Sequence, residues 1–329
     1  MADLSLLIVG GTRFLGRHFV AAALDAGHRV TLLHRGRSGA SLFPEAEHLI
    51  ADRDGDLSVL DGRRFDAVVD PSAYFPRQVR ALAGKLAGRV GHYQIVSSIS
   101  VYADIPPAGA DEDAPLATLA DPTVETVTGE TYGGLKVLCE RAAVEAFGAA
   151  GTSVVVSRPG LIVGPFDPSG RFTWWVRRAE EPRPLLAPAP PEAPVQVIDA
   201  RDAAAWMLRQ AVARSAGVFN LVAPAVTMRE FVAALAPAGP VRWIDEALLL
   251  AQGVAPWTEL PVWLPAAQAG LHRTNVQRAL ATGLQCRALA ETVHDTRAWA
   301  AEAEGHGLKP GFGLAPEREA ALLQALDPA

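Results

Sequence analysis

A chain of 329 residues, half of them hydrophobic and 20% charged, is long enough for one large buried core or two, and too apolar to stay unfolded. Its 36 acidic against 30 basic side chains give a formal net charge of −6, so the balance gives no attraction for a polyanion and nucleic acid is not an expected partner. No apolar run approaches the roughly 18 residues that a membrane helix needs, so no membrane partner is expected either.

The first apolar run, LSLLIV at 4–9, lacks a basic leader and a cleavage site and reads as a strand rather than a signal peptide. FLGRHFVAAALDAGH reads as a helix with Phe14, Val20 and Leu24 on one face and Gly27 as its stop. RVTLLH, HLIAD, DAVVD and YQIVSS follow as short buried strands, with PRQVRALAGKLAG as a crossover helix between the last two. A polar connection over 103–128 is either a functional cover or surface padding. A helical run over 130–150 then leads into the strand TSVVVSR. Apolar strands joined by helices imply a parallel sheet covered on both faces, an α/β fold.

Beyond residue 160 the order loosens. FTWWVRRAE reads as a helix, EEPRPLLAPAPPEAP as irregular, and VQVID, a helix through AAAWMLRQAV, VFNLV and VRWID as a smaller α/β part. The tail carries helical runs in TNVQRALA, LAETVHDTRAWAAEAE and PEREAALLQAL. The expected division is 1–160 and 161–329, with part of the second stretch free to return to the first sheet. Cys139 and Cys286 lie far apart in no metal-ligand spacing, and are expected to be reduced, buried thiols of a cytoplasmic protein that holds no metal. His92, His272 and His294 show no spacing that decides between ligands and bystanders.

Gly10 and Gly11 close the first strand, and Gly16 falls in the first turn of the helix after it. Such a strand–glycine–helix unit lets backbone N–H groups approach a pyrophosphate at the helix N-terminus, while a glycine at position 16 permits close packing of helix on strand. Later, TYGGLKVLCE sets Tyr132 four residues before Lys136, one above the other on a helix. A phenol titrates near ~10 and is a poor base at neutrality, whereas an ammonium ~4 Å away would favour the phenolate by about 4 kcal/mol. Lys136 is therefore expected to lower the phenol towards the working pH of general acid–base catalysis.

VGGTRFLG resembles the glycine loop of the short-chain dehydrogenase/reductase superfamily, in its extended, NAD-dependent epimerase/dehydratase branch, and within that branch the subgroup with chloroplast stem-loop RNA-binding proteins. The resemblance implies a Rossmann doubly wound parallel sheet with a smaller C-terminal α/β substrate domain. It implies cofactor contacts at Gly10, Gly11, Thr12, Arg13, Phe14 and Gly16, at Asp52 and Arg53 beside the adenine, and at Pro159 and Gly160 behind the nicotinamide. Arg13 stands where the branch usually has glycine and where NADP-using members carry a basic residue. Arg35 and Arg37 stand where NAD-specific members have an acid; a guanidinium matches a 2′-phosphate, which a carboxylate would repel. The loop is thus expected to prefer NADP(H), with NAD(H) left open.

In the same branch the catalytic hydroxyl lies three residues before the VY pair of VSSISVY, which is Ser98 here. The resemblance makes Ser98, Tyr132 and Lys136 the catalytic set: Ser98 polarises a carbonyl, Tyr132 is general acid, and Lys136 holds the ribose. Two departures narrow the chemistry. Leu161 replaces an asparagine that holds the nucleotide of nucleotide-sugar substrates, and Ile99 and Ser100 replace the acidic pair of dehydratases. The expected activity is NADPH-dependent reduction of a small-molecule carbonyl. The alternatives are epimerisation of a sugar-type substrate and a non-catalytic RNA-binding role, and a homodimer stays open.

Overall fold

Strands that are apolar on both faces need cover on both sides, and the runs of the first half receive it. The computed structural model describes residues 3–103, 105–302 and 311–326. Its first part runs β1 (Ser5–Val9), α1 (Phe14–Asp25), β2 (Arg29–His34), β3 (Glu47–Ile50), β4 (Phe65–Asp70), α2 (Pro76–Leu86), β5 (Val90–Val96), α3 (Tyr132–Ala143) and β6 (Ser153–Pro159). There follow β7 (Leu161–Val163), α4 (Arg171–Ala179), β8 (Leu185–Ala189), β9 (Pro194–Val195), β10 (Val197–Asp199), α5 (Ala200–Ala213) and β11 (Gly217–Leu221). The rest is β12 (Val226–Thr227), α6 (Met228–Leu235), β13 (Val241–Asp245), α7 (Glu246–Ala251), α8 (Gln277–Ala281), α9 (Leu289–Glu302) and α10 (Pro316–Leu326).

Seven parallel strands form the central sheet in the order β11-β6-β5-β4-β1-β2-β3. The chain winds outward from β1 to β3 and then returns to β4, so the order reverses between β1 and β4. A crevice opens beyond the carboxyl ends of strands at such a reversal. Phe19 and Val20 of α1 and Trp206 and Met207 of α5 bury one face of the sheet; Val79 and Leu82 of α2, with Cys139 of α3, bury the other. The stretch over 200–221 thus returns to the first sheet, α5 against α1 and β11 against β6. A separate core gathers Phe172, Trp175, Phe231 and Trp263.

Four local expectations need correction. The proline-rich stretch is not irregular throughout: β8 pairs in parallel with β13, from Leu185 opposite Val241 to Ala189 opposite Asp245. In a two-stranded sheet each strand is an edge, so a proline that lacks N–H can be tolerated there. The buried face of α1 is Leu15, Gly16, Phe19, Val20 and Ala23, so of the expected face Val20 is buried while Phe14 and Leu24 are half-buried. VQVID breaks at Gln196, whose N–H donates to His272 Nδ1 (3.1 Å) and whose amide donates to Thr274 O (3.0 Å). Cys139 is buried, but Cys286 is exposed. Residues 303 and 304, read as the end of a helix, lie outside the described residues. Among the described residues no helix is long and apolar enough to cross a membrane.

Candidate active site

The first turn leaves no room for side chains. Gly10 and Gly11 adopt φ of 107° and 83°, where any other residue is strained. A Cβ on Gly11 would meet Leu32 at 2.8 Å, and one on Gly16 would stand 3.0 Å from the Gly11 Cα, so α1 lies directly against the turn. The helix starts at an extended Arg13 with no side-chain cap, which leaves its first N–H groups available to an anion. A dinucleotide pyrophosphate suits this cradle. Thr12 and Arg13 sit on the turn, Arg13 exposed, and Phe14 opens α1 at φ 35° with its ring edge-on to His18.

Arg35 and Arg37 follow β2 on an exposed loop, Arg35 only loosely paired with Asp52 at 4.0 Å. A Cβ on Gly39 of this loop would stand 3.2 Å from Thr12 Cβ, so the loop rests on the glycine turn and brings the arginine segments alongside each other. Asp52 accepts from the Asp54 N–H at 3.1 Å.

Arg53, expected beside an adenine, is tied to buried partners of its own chain. Its guanidinium donates to both oxygens of the fully buried Asp70 (2.7 and 2.8 Å) and to Ser72 Oγ (2.8 Å). Burial opposes the charge on Asp70, yet Arg53 outweighs it and holds the carboxyl below its ordinary range. Tyr93 Oη donates to the same carboxylate (3.0 Å), and Ser72 Oγ donates to Val9 O (2.9 Å). This buried knot ties the ends of β1 and β4 together where the strand order reverses. Sequence reasoning missed Asp70 and Ser72, because partners 17 residues or more apart leave no local signal.

The structure does bring Ser98, Tyr132 and Lys136 to one place. Ser98 follows β5 at the start of a short turn, its Oγ accepting from Ser100 N (3.1 Å) and donating to Ser100 Oγ (3.0 Å). Tyr132 opens α3, and the next residue has to be small: a Cβ on Gly133 would stand 2.1 Å from the Ser100 carbonyl oxygen. Lys136, buried, donates to Ala73 O (2.7 Å) and Val96 O (2.9 Å), joining the loop after β4 to the end of β5. Its ammonium stands 4.9 Å from the Tyr74 ring and 6.0 Å from the Tyr132 ring. Tyr74, a residue that sequence reasoning passed over, is half-exposed at the mouth of the site.

The expected lowering of the phenol is not what this arrangement gives. Burial pushes the Tyr132 phenol above its usual 10, Tyr74 adds to the rise, and the adjacent Ser98 hydroxyl opposes it. Lys136 is ring-distant and occupied by two carbonyls, and its own pKa is lowered by burial. At neutral pH such a phenol keeps its proton.

Pro159 ends β6, and Gly160 is wedged in: a Cβ there would meet Val222 at 2.9 Å and Ile99 at 3.6 Å. Beneath the site a buried ion pair joins Arg158 to Glu140 (2.7 and 3.0 Å), with Ser97 donating to the same carboxylate. Arg158 also donates to Glu112 O (2.9 Å), and the Glu112 carboxylate accepts from Asn220 N (2.7 Å). Farther along, Glu125 accepts from Arg77 of α2 (2.6 Å). The long connection is thus tied down at Glu112 and again at Glu125. Leu161 packs against the second core. Phe172, Trp175 and Trp263 are core residues; Phe166 is half-buried beneath the Arg17 guanidinium at 3.7 Å. His272 bonds Val262 O (2.7 Å) and Gln196 N, a packing role, and no cluster that could hold a metal occurs among the described residues.

The sheet order and the side-chain-free first turn define a Rossmann fold, with Ser98 after the fifth strand and Tyr132 and Lys136 on α3 brought to the carboxyl end of its sheet. A model of the NAD dependent epimerase/dehydratase family matches residues 78–221. It is 29% identical over 205 residues to the chloroplast stem-loop binding protein of 41 kDa b of Arabidopsis thaliana, covering 57% of this chain and 50% of that one. It is 28% identical over 167 residues to the UDP-glucose 4-epimerase of Neisseria meningitidis, covering 42% and 46%. The chain spans about half the length of the curated relatives it matches. Its fold resembles that of the UDP-glucuronic acid 4-epimerase from Bacillus cereus, solved in complex with NAD, at a TM-score of 0.65 and 13% identity over 90% of this chain and 98% of that one.

Proposed function

We propose that this protein is an NADP(H)-dependent oxidoreductase that reduces the carbonyl of a small molecule. The observation that carries the reading is the meeting of Ser98, Tyr132 and Lys136 beside the glycine cradle. A bound nicotinamide dinucleotide supplies the hydride. Ser98 donates a hydrogen bond to the substrate oxygen and polarises the carbonyl, and Tyr132, protonated at neutral pH, gives that oxygen its proton and is re-protonated from solvent. Lys136 fixes the end of β5 against the loop after β4, which sets where the two hydroxyls stand. Arg13, Arg35 and Arg37 support a preference for the 2′-phosphate, since no acid replaces them at the end of β2.

A second reading, epimerisation with a retained cofactor, is favoured by the similarity to a UDP-glucose 4-epimerase. Leu161, packed into apolar surroundings, offers no hydrogen bond to a nucleotide and weighs against that substrate. The test is fluorescence titration with NADPH and NADH, followed by turnover on ketones, flavonoids and nucleotide sugars. Net NADPH consumption is expected, falling by about 10²–10⁴-fold in Tyr132→Phe with cofactor affinity held. Conversion of a sugar without net NADPH consumption would favour epimerisation, and full turnover in Tyr132→Phe would overturn both readings.

A further inference from the structure

The loop over 35–43 is held at both ends by two histidines that the proposed chemistry does not use. His34 closes β2 and His48 stands beside it on β3, the rings edge to face with centroids 5.0 Å apart. The Gly36 N–H donates to His34 Nδ1 at 3.1 Å, so that nitrogen carries no proton and Nε2 carries one. His34 Nε2 donates in turn to His48 Nδ1 at 2.8 Å. The proton of His48 is then on Nε2, 3.1 Å from the Phe43 carbonyl oxygen, which can only accept. An amide at the start of the loop and a carbonyl at its end therefore require the same pair of tautomers. The relay is complete only when both imidazoles are neutral.

Between these ends the loop turns at Gly36 (φ 70°) and Gly39 (φ 60°), and Phe43 adopts φ 58°, a region that is strained for a non-glycine residue. His48 and the Ala46 N–H (2.9 Å) both bond the oxygen of that strained residue. The middle of the loop rests on Thr12 of the glycine turn. Arg35 and Arg37 ride on this segment, exposed, and Arg35 is loosely paired with Asp52 at 4.0 Å.

We propose that His34 and His48 form a staple that positions Arg35 and Arg37 for the 2′-phosphate of NADP(H), making them positioning residues for cofactor choice. The inference rests on the NADP(H) reading above. Recognition of a phosphate by a guanidinium depends on aligned donors, and a loop freed at both ends would have to order its arginines on binding.

The test is equilibrium binding of NADPH and of NADH by fluorescence, with a thermal melt of each cofactor-free variant to show that it folds. Wild type is expected to bind NADPH more tightly than NADH. His48→Phe, which keeps a ring but loses both bonds, is expected to weaken NADPH binding about tenfold while changing NADH binding less than about twofold. His48→Gln, whose amide can both accept and donate, is expected to recover most of that loss. In a chain already carrying Arg35→Ala and Arg37→Ala, His48→Phe is expected to have no further effect on NADPH binding. Equal weakening of both nucleotides, unchanged NADPH affinity in folded His48→Phe, or full additivity with the arginine changes would overturn the staple. A wild type that prefers NADH would instead overturn the NADP(H) reading, and the staple with it.

Discussion

At Lys136 an ammonium is buried between a carbonyl of the loop after β4 and the carbonyl that ends β5, so the residue has a place in the fold whatever its place in the chemistry. Lys136→Met keeps the length of the side chain but leaves Ala73 O and Val96 O without their donor. An orphaned buried acceptor costs about 1–3 kcal/mol, so Lys136→Met is expected to lose roughly 2 kcal/mol or more in urea unfolding, besides its turnover. A variant as stable as wild type would confine Lys136 to catalysis. The spacing of Tyr132 and Lys136 was legible in the sequence because one helical turn dictates it. The direction of the phenol's shift was not, because it depends on burial, on Tyr74 and on which carbonyls take up the ammonium, all set by residues remote in the chain.

Among the elements, α3 shows why two glycines follow the tyrosine. A methyl at position 133 would fall 2.1 Å from the Ser100 carbonyl oxygen, which is backbone and cannot swing aside. Gly133→Ala therefore has to push the start of α3 away from the turn that carries Ser98. It is expected to cost about 1–3 kcal/mol and to reduce turnover further than that loss of stability explains. Gly84, inside α2 with nothing within 4 Å of its would-be Cβ, provides the contrast. There alanine is expected to stabilise by up to about 1 kcal/mol, since only helix propensity changes. Thermal unfolding of the two variants checks both signs; stabilisation by Gly133→Ala would show that α3 does not need its close approach. Sequence periodicity found α2 and α3, but not this contact, because the Ser100 carbonyl belongs to another element.

Across the whole molecule, the parallel sheet was legible because strands buried on both faces are nearly continuous apolar runs. What sequence did not show were the ties between distant segments. Glu319 of α10, fully buried, accepts from Arg178 (2.7 Å) across 141 residues and from Arg183 (2.6 Å), and no local pattern announces such a pair. Buried titratable groups of this kind govern the response to acid. Burial pushes His92 down to about 4 from an ordinary 6.5, and lowers His18 and His272 as well. Between about 4 and 6.5 the unfolded chain binds protons that the folded His92 refuses, so stability rises with pH through this window and is lost as pH falls through it. For His92 alone the full loss is about 3 kcal/mol. Asp70 and Asp199, held below the ordinary carboxylate range, withdraw their contribution as pH falls through and below that range, in the same sense. Urea unfolding from pH 7.5 down to 4.5 is expected to show a steep decline, and His92→Gln, which does not titrate, is expected to flatten it. A decline of equal slope in that variant would move the acid sensitivity from β5 to the other buried histidines, His18 and His272.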